Sequence, residues 1–482
     1  MINSSDQYET VVGLEVHAQL LTKSKLFCAD STLSGHEPNT NISPVSLAHP
    51  GTLPVMNRKA IELAVKAGLA CHCEIVQDNF FARKNYFYPD LPKGYQVSQH
   101  TAPVCRAGYI SINTGDGEKN IRLNRIHLEE DAGKSIHDAD AHYTCIDLNR
   151  AGVPLIEIVS EPDIRNGDEA YAYLTELRKL LRYLEVCDGN MEAGSLRCDA
   201  NISVRKKGDD KLGVKVEVKN LNSIRNVKKA IEYESSRLVS MLEKGETIVQ
   251  ETRSFDANSG STFALRDKEE AEDYRYFPEP DLTPFKISGE FIEEIRKRIP
   301  ALQKERIKRY KQEFGLAAYD AAMITEDRAM ADYFENTTLH TKEYKAIANW
   351  MMGPVKNWMN ENNADISLFP VPPEKLAMLI RLVNENKISF SAASGKVLDR
   401  LIKNPLKEPM DIAREENLLQ ESDVNIITPV VDEVLSRFGE KVKEYRRGKK
   451  GLMALFVGEV MKRTNGKADP KMVNELLSEK LK

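Results

Sequence analysis

No apolar run in this 482-residue chain approaches the roughly twenty residues that span a bilayer. The N-terminus, Met1-Ile2-Asn3-Ser4-Ser5-Asp6, lacks the basic-then-apolar order of a secretory leader. These two absences predict a cytoplasmic protein with no membrane segment. Cysteine is scarce: Cys28, Cys71, Cys73, Cys105, Cys145, Cys187 and Cys198 are an odd set, all in the first 200 residues. Without a leader, free thiols in a reducing compartment are the simple reading. Cys71-His72-Cys73 has no second ligand pair, so it reads as two buried thiols flanking a histidine and not as zinc. Familiar nucleotide loops are missing too. There is no G-x-x-x-x-G-K-S/T, no G-x-G-x-x-G after a strand and no G-x-S-x-G elbow. Any ATP site here must be of another type. Net charge is only -5, from 68 Lys and Arg against 73 Asp and Glu, which excludes whole-chain attraction to nucleic acid but not a local basic patch.

The chain is too long for one core, so two to four domains are expected. Residues 1–290 read as strands with loops and a few helices, and the remainder as helices almost throughout. That shift predicts an α+β protein: an antiparallel-sheet cradle domain (1–290), a helical domain (291–407) and a small helical C-terminal tail (408–482). Three prolines in Pro278-Glu279-Pro280-Asp281-Leu282-Thr283-Pro284 mark the first junction, and Asn404-Pro405 to Pro409 the second. Within the cradle, 57–69 reads as a helix. So does 168–184, with Tyr171, Leu174, Leu177, Leu181 and Leu184 inward.

What is present is a set of two-faced strands. In Val11 to Leu20, Leu14, Val16, Ala18 and Leu20 share one side, and Glu15, His17 and Gln19 the other. Leu196 to Arg205 alternates in the same way, with Arg197, Asp199, Asn201, Ser203 and Arg205 on its polar side. In Val214 to Lys219 the polar side carries Lys215, Glu217 and Lys219. One such face is usually just wet. Several together bring acids, an imidazole and cations over one sheet. Leu128-Glu129-Glu130-Asp131 adds more acid, and Glu157 sits between Ile156 and Ile158, where an unpartnered carboxylate is costly. A cation is a natural partner, and Mg²⁺ commonly takes one or two carboxylates beside phosphate and water. The residues therefore point to Mg²⁺-phosphate chemistry on a sheet face. Asn79 to Gln96 interleaves aromatics with Arg83, Lys84 and Asn85, which suits either a packed loop or a surface that stacks on bases. From Lys441 to Lys482 twelve Lys and Arg face five acids, and basic turns flank a helix at Arg446 to Gly451 and Lys462 to Lys467. That patch points to RNA-backbone contact.

Five stretches, in order along the chain, carry a resemblance: Gly13-Leu14-Glu15-Val16-His17, Arg83 to Gln96, Leu128 to Lys134, Gly194 to Asn201 and Asp273 to Asp281. They resemble the B-subunit family of bacterial aspartyl/glutamyl-tRNA amidotransferases. The tail, from Phe456 through Leu477, is similar to that family's C-terminal tRNA-binding domain. The resemblance implies a heterotrimer with an amidase-type A subunit, which releases ammonia from glutamine, and a small C subunit. It implies that this subunit uses ATP and Mg²⁺ to phosphorylate the side-chain carboxylate of a mischarged Glu-tRNA(Gln) or Asp-tRNA(Asn), which ammonia then attacks. On the matching motifs, Glu15, His17, Glu130 and Glu157 are expected to be catalytic and to hold the metal. Glu129 is the alternative to Glu130, since neighbours on a strand point opposite ways. Lys84, Arg197, Lys219 and Arg275 are expected to contact phosphate or substrate. Many family members carry a zinc site, Cys-x-Cys then Cys-x-x-Cys. Here Cys28-Ala29-Asp30 and Ser43-Pro44-Val45-Ser46 keep one of four ligands, so no structural zinc is expected, and packing of Leu33, Val45 and Leu47 would have to hold the loop. The rival reading is a non-catalytic subunit that grips tRNA and bridges its partners. A free-standing ligase making its own ammonia is disfavoured, because no glutaminase arrangement is evident.

Overall fold

The computed structural model describes residues 7–115, 117–136, 142–267, 274–420, 424–464 and 467–482. Asp273 of the tyrosine-rich motif and Asn465-Gly466 of the second basic turn lie outside the described residues. The chain divides into two compact units, Met1–Pro300 and Ala301–Lys482. Among the described residues no helix is long and apolar enough to cross a membrane.

The first unit is built on a ten-stranded sheet with β1 (Tyr8–Gln19) near its centre. In chain order the strands that matter next are β2 (Ala82–Asn85) and β3 (Tyr95–Ser98), which form part of a separate three-stranded sheet, then β4 (Gly117–Glu130), β5 (Pro154–Ser160), β6 (Leu196–Lys206), β7 (Val216–Lys219), β8 (Glu251–Asp256) and β9 (Ser261–Asp267). Across the large sheet the order is β9-β8-β7-β6-β1-β5-β4, continued by shorter strands beyond β4. The sheet is mixed and not purely antiparallel. The one parallel step among the described strands joins β7 to β8. A parallel neighbour needs a crossover, and the helix Ile224–Glu243 supplies it.

The alternation in β1 holds. Leu14, Val16 and Ala18 are fully buried, as are Ala200, Ile202, Ile156, Ile158, Ile126 and Leu128 on the same side of neighbouring strands. A fully buried Val, Leu or Ile side chain contributes about 1.5–3 kcal/mol. A one-residue slip would drive Glu15, His17 and Gln19 into the core, so the register is pinned. Helix α1 (Arg58–Ala70) begins where Asn57 accepts a hydrogen bond from the Lys59 N–H. Helix α2 (Gly167–Tyr183) is capped in the same way by Asn166 and buries Leu174, Leu177 and Leu181. Tyr171 is exposed instead of inward, and Ala170 and Tyr173 take that side of the stripe. Val214 is exposed as well, because the strand begins only at Val216.

The second unit is helical. One apolar core gathers Phe334, Trp350, Leu376, Leu379 and Ile380. A separate one, around Val431, Val434, Phe456, Val460, Val473 and Leu477, belongs to the last four helices.

Candidate functional site

The register of the central strands assembles the polar face. His17 on β1 lies opposite Glu157 on β5 and Arg197 on β6. Glu157 lies opposite His127 on β4. Period-two alternation then puts Glu129 on the face of His127 and sends Glu130 to the other. Four groups close a circuit. His17 Nε2 is 3.3 Å from Glu157 Oε2 and 3.6 Å from Glu129 Oε1. His127 Nε2 is 3.4 Å from Glu157 Oε2 and 3.7 Å from Glu129 Oε2. Ligand atoms of His17, Glu129 and Glu157 all lie within 4.8 Å of one another, a spacing that suits a metal ion. His17 is 20% exposed at its side chain and His127 only 4%, so His17 faces the opening and His127 forms the floor.

Charge follows geometry. Burial would lift the Glu157 carboxyl, but His127 and His17 outweigh it and hold the group ionised well below the usual carboxylate range. Burial pulls the His17 imidazole down, yet Glu157, with Glu129 and Asp199, carries it up to about 9. The ion-free cluster therefore holds a proton on His17 at neutral pH, where a cation would replace it.

Two further groups flank the circuit. Arg197 makes a two-pronged pair with Asp131, at 3.0 and 2.9 Å, and Gln19 donates to the same carboxylate at 2.7 Å. Burial raises the Asp131 carboxyl, and Arg197 with Arg150 more than reverses that. Arg197 is thus spoken for in this state and acts as a clamp between β6 and the end of β4. Asp131→Asn removes the charge from a buried pair. A cost of about 2–3 kcal/mol is expected, below the 3–5 typical of fully buried pairs because Arg197 is 33% exposed at its side chain. Scanning calorimetry checks this, and an unchanged Tm would remove the clamp. On the other flank Lys219 bridges Asp199 at 2.8 Å and Glu217 at 3.1 Å, and Asn201 donates to Glu15 at 2.9 Å. Burial, then repulsion from Glu157, Glu217 and Asp199, raises the Glu15 carboxyl. Glu15 stands beside the circuit and outside it.

A second wall comes from β2. The Lys84 ammonium sits 4.8 Å from the Tyr274 ring centre and 5.7 Å from that of Tyr86. Burial works against its charge, but Glu129, Tyr276 and Glu157 raise its pKa. Lys84 is therefore a cation held by rings and within electrostatic reach of the two acids. Tyr276 stacks on His100 at 4.0 Å. Arg275 is not gathered in. Its backbone has positive φ, its carbonyl accepts from Asn85 at 2.6 Å, and the residue is exposed.

Glu130 also stands apart. Its carboxylate accepts from the Val97 N–H at 2.9 Å and pairs with Lys93. It lines a pocket of about 120 Å³ with Lys25, Phe27, Cys28 and Tyr95. The structure thus places Glu129, and not Glu130, with His17 and Glu157. Sequence reasoning does not single out His127, Asp131, Asp199 or Glu217 as members of the site. The alternation Arg125-Ile126-His127-Leu128-Glu129, read as a strand, carries the signal for the first of them. Leu33 is 67% exposed and does not pack under the loop that holds Cys28. Val45 and Leu47 are half-buried, and polar contacts join them in holding that loop. Cys28 Sγ lies 3.5 Å from Ser46 Oγ, Ser46 bonds Asp30, and Asn39 and Asn41 bond Ile146, Asp147, Leu148 and Asn149. Cys71 and Cys73 are buried, and burial pushes the Cys73 thiol up to about 12.

Residues 10–293 match the family model described as the GatB/GatE catalytic domain, and residues 332–481 match that described as the GatB domain. A relative from Thermodesulfovibrio yellowstonii, named as the B subunit of an aspartyl/glutamyl-tRNA(Asn/Gln) amidotransferase, is 50% identical over 476 residues, covering 99% of this chain and 100% of that protein. Relatives of the same name from Persephonella marina (50% over 477 residues, 99% and 100% covered) and Myxococcus xanthus (49% over 474, 98% and 98%) are similar to this chain over the same extent. On these matches the chain belongs to the B-subunit family of the aspartyl/glutamyl-tRNA(Asn/Gln) amidotransferases.

Proposed function

We propose that this chain is the component that activates and amidates the amino acid on a mischarged tRNA. Glu-tRNA(Gln), Asp-tRNA(Asn) or both become Gln-tRNA(Gln) or Asn-tRNA(Asn) at the expense of ATP. The observation that supports this most is the circuit of His17, Glu157, His127 and Glu129 on an otherwise polar sheet face. A carboxylate is a poor electrophile because its leaving group would be oxide, and an acyl phosphate supplies a better one. Phosphoryl transfer asks mainly for positioning and charge neutralisation. The donor set fits a divalent cation: Glu157 is ionised, and His17 gives up a proton to free its lone pair. Bound there, Mg²⁺ would neutralise developing phosphoryl charge. Lys84 contributes a fixed positive charge beside the same acids. Lys219 and Arg197, each already paired, hold the neighbouring acids in place, and Glu15 presents a carboxyl at the rim. Arg275, exposed on its loop, remains a candidate for substrate contact.

Nothing in these sites generates ammonia. It comes, on this reading, from a glutaminase-type A subunit, with a small C subunit completing a heterotrimer. The same proposal divides the chain at 1–290, 291–407 and 408–482; the apolar core of the helical domain reaches Ile412 and Ala413, past the second boundary, and the tail has a core of its own from Ile427 onward. The loop around Cys28 is held without structural zinc. The tail grips tRNA: Arg446, Arg447, Lys449, Lys450, Lys467 and Lys471 are all exposed there. Deleting residues 424–482 is expected to weaken tRNA binding by roughly tenfold or more at moderate salt and to flatten its salt dependence. Filter binding across a salt series tests this, and an unchanged slope would count against the tail.

The decisive experiment is amide formation on Glu-tRNA and Asp-tRNA with ammonium chloride, ATP and Mg²⁺, using this chain with its partner subunits. Product that requires ATP and vanishes in a Glu129→Ala variant supports the reading. Product that persists in that variant returns the chain to the role of a tRNA-gripping scaffold.

A further inference from the structure

The rings that follow Arg83 do not close into a packed loop. They run in a surface file, Tyr88, Tyr86, Tyr274, Tyr276 and His100, with neighbouring ring centres 6.4, 5.8, 6.4 and 4.0 Å apart. The last two are stacked, their planes 11° apart. The two stretches that supply the file are fastened through the main chain. The Asn85 N–H donates to the Tyr274 carbonyl at 2.8 Å, and Asn85 Nδ2 donates to that of Arg275 at 2.6 Å. Arg275 takes a φ of 36°, a left-handed conformation that a residue other than glycine keeps only where its surroundings impose it. Tyr88 is 54% exposed, Phe87 beside it 85%, and Tyr274 and His100 are exposed as well. Rings this open form a binding surface and not a core.

The file leads to the circuit of acids and imidazoles. Burial raises the Tyr276 phenol, Lys84 and Arg125 oppose that, and Glu129 and Glu157 add to it, so the ring stands within electrostatic reach of both acids. Burial, then Arg125 and His127, hold the His100 imidazole below its ordinary value. Arg125 lies on β4, on the face of His127 and Glu129. It is half-buried, its Nε has no hydrogen-bond partner, and no carboxylate pairs with it among the described residues. Arg197 and Lys219, by contrast, are already paired. A half-buried guanidinium without an anion is ready to receive one, and its fork suits phosphate. Open rings in line with fixed cations match unpaired nucleic acid, whose bases stack on any ring and whose phosphates answer the cations. An apolar protein surface would use the rings alone. The substrate has such a segment, because the amino acid of a charged tRNA is esterified to the last ribose of an unpaired 3′ end.

We propose that this file of rings, with Arg125 and Arg275, seats the unpaired 3′ end of the charged tRNA. Bases stack on the rings, the guanidinium groups meet phosphates, and the aminoacyl ester is led to the face of His17, Glu129 and Glu157. This rests on the reading of the chain as the amidating component. Stacking tolerates any base and the end is common to all tRNAs, so the seat serves Glu-tRNA and Asp-tRNA alike.

The test uses the complex with its partner subunits and an uncharged tRNA whose 3′-terminal adenosine is replaced by 2-aminopurine riboside, a base whose fluorescence stacking quenches. Binding to wild type is expected to quench it about threefold or more. Tyr274→Ala is expected to lose most of that quench and to raise KM for Glu-tRNA about tenfold, and Tyr274→Phe, which keeps the ring, to restore both. Arg125→Gln is expected to lower the slope of log affinity against log salt by about 0.7, the share of one single-strand phosphate. KM for ATP should stay within about threefold of wild type in each variant. Should Tyr274→Ala fail to unfold cooperatively, His100→Ala, at an exposed position, takes its place with the same expectations. A quench that is absent in wild type, or unchanged in the folded alanine variant, overturns the seat. So does loss of a partner subunit from that variant on gel filtration, which would make the file a subunit interface. Amide formation by wild type with ammonium chloride, run in parallel, separates the two failures. Product without quench overturns the seat alone, and no product from either charged tRNA overturns the amidating role and the seat with it.

Discussion

Glu157→Gln is expected to abolish amide formation, by about a thousandfold or more, while tRNA binding and the fold persist. The size follows from position. Glu157 is the acid closer to both imidazoles, meeting them through the single oxygen Oε2 at 3.3 and 3.4 Å, and it is the foremost group that raises His17. Glutamine keeps the volume and removes the charge. The cation loses an anionic ligand, and His17, relieved of its partner, falls toward the value that burial favours. A buried neutral amide between two imidazoles can still be satisfied, so folding is not expected to fail. Thermal unfolding and filter binding confirm an intact protein, and the ammonium-dependent assay reads the loss. The companion variant is Glu130→Gln. By the resemblance, Glu130 comes first, with Glu129 as the alternative, among the expected metal ligands. Its place beside Lys93 and the Val97 N–H predicts instead that cation affinity stays within about threefold of wild type, against the loss of tenfold or more expected when a true ligand's support is removed. A tenfold drop in Glu130→Gln together with an active Glu157→Gln would reverse the assignment.

The swap between Glu129 and Glu130 shows where sequence reasoning stops. Alternation in β1 is legible because from Leu14 to Gln19 one face is apolar and the other polar. It gives Glu15 and His17 their common face without ambiguity. At the end of β4 the pattern breaks into three acids in a row, Glu129-Glu130-Asp131, and each has a buried setting of its own. Which of the three meets His17 depends on the pairing of β4 with β5, a contact across about thirty residues that no local pattern encodes. His127 escapes for a related reason. A histidine on the polar side of an alternating strand reads as merely wet until its cross-strand partner is known. The helices are easier, since Asn57 and Asn166 announce their starts, and only the inward side of α2 differs from expectation, at Tyr171. The crossover that makes β7 and β8 parallel is hidden because strand patterns carry no sign of direction. The loop at Cys28 misleads in the opposite sense. Hydrophobic residues draw attention there, yet Leu33 is exposed, and asparagine side chains bonding backbone across more than one hundred residues share the holding with half-buried Val45 and Leu47.

Cation binding to the ion-free protein is expected to strengthen about tenfold per pH unit from near neutrality up to about 9 and to level off above it. His17 is the reason. Its imidazole holds a proton up to about 9, and only the neutral ring donates a lone pair, so each bound ion displaces close to one proton in that range. Glu157 adds no slope there, because it is already ionised far below neutrality. Calorimetry in buffers of different ionisation enthalpy counts the protons directly, and the affinity itself comes from the same titrations. A flat affinity between pH 7 and 9, with no proton released, would show that His17 is neutral or is not a ligand. The stability of the ion-free protein should move the other way. A histidine whose folded value lies above its unfolded one, about 6.5, contributes fully at pH below the unfolded value. That contribution fades as pH rises toward 9. Alkaline conditions thus loosen the ion-free cluster while favouring its ion, so added cation should raise Tm by more at pH 8.5 than at pH 6.5. Glu157→Gln, which takes away the partner that raises His17, should erase both trends together.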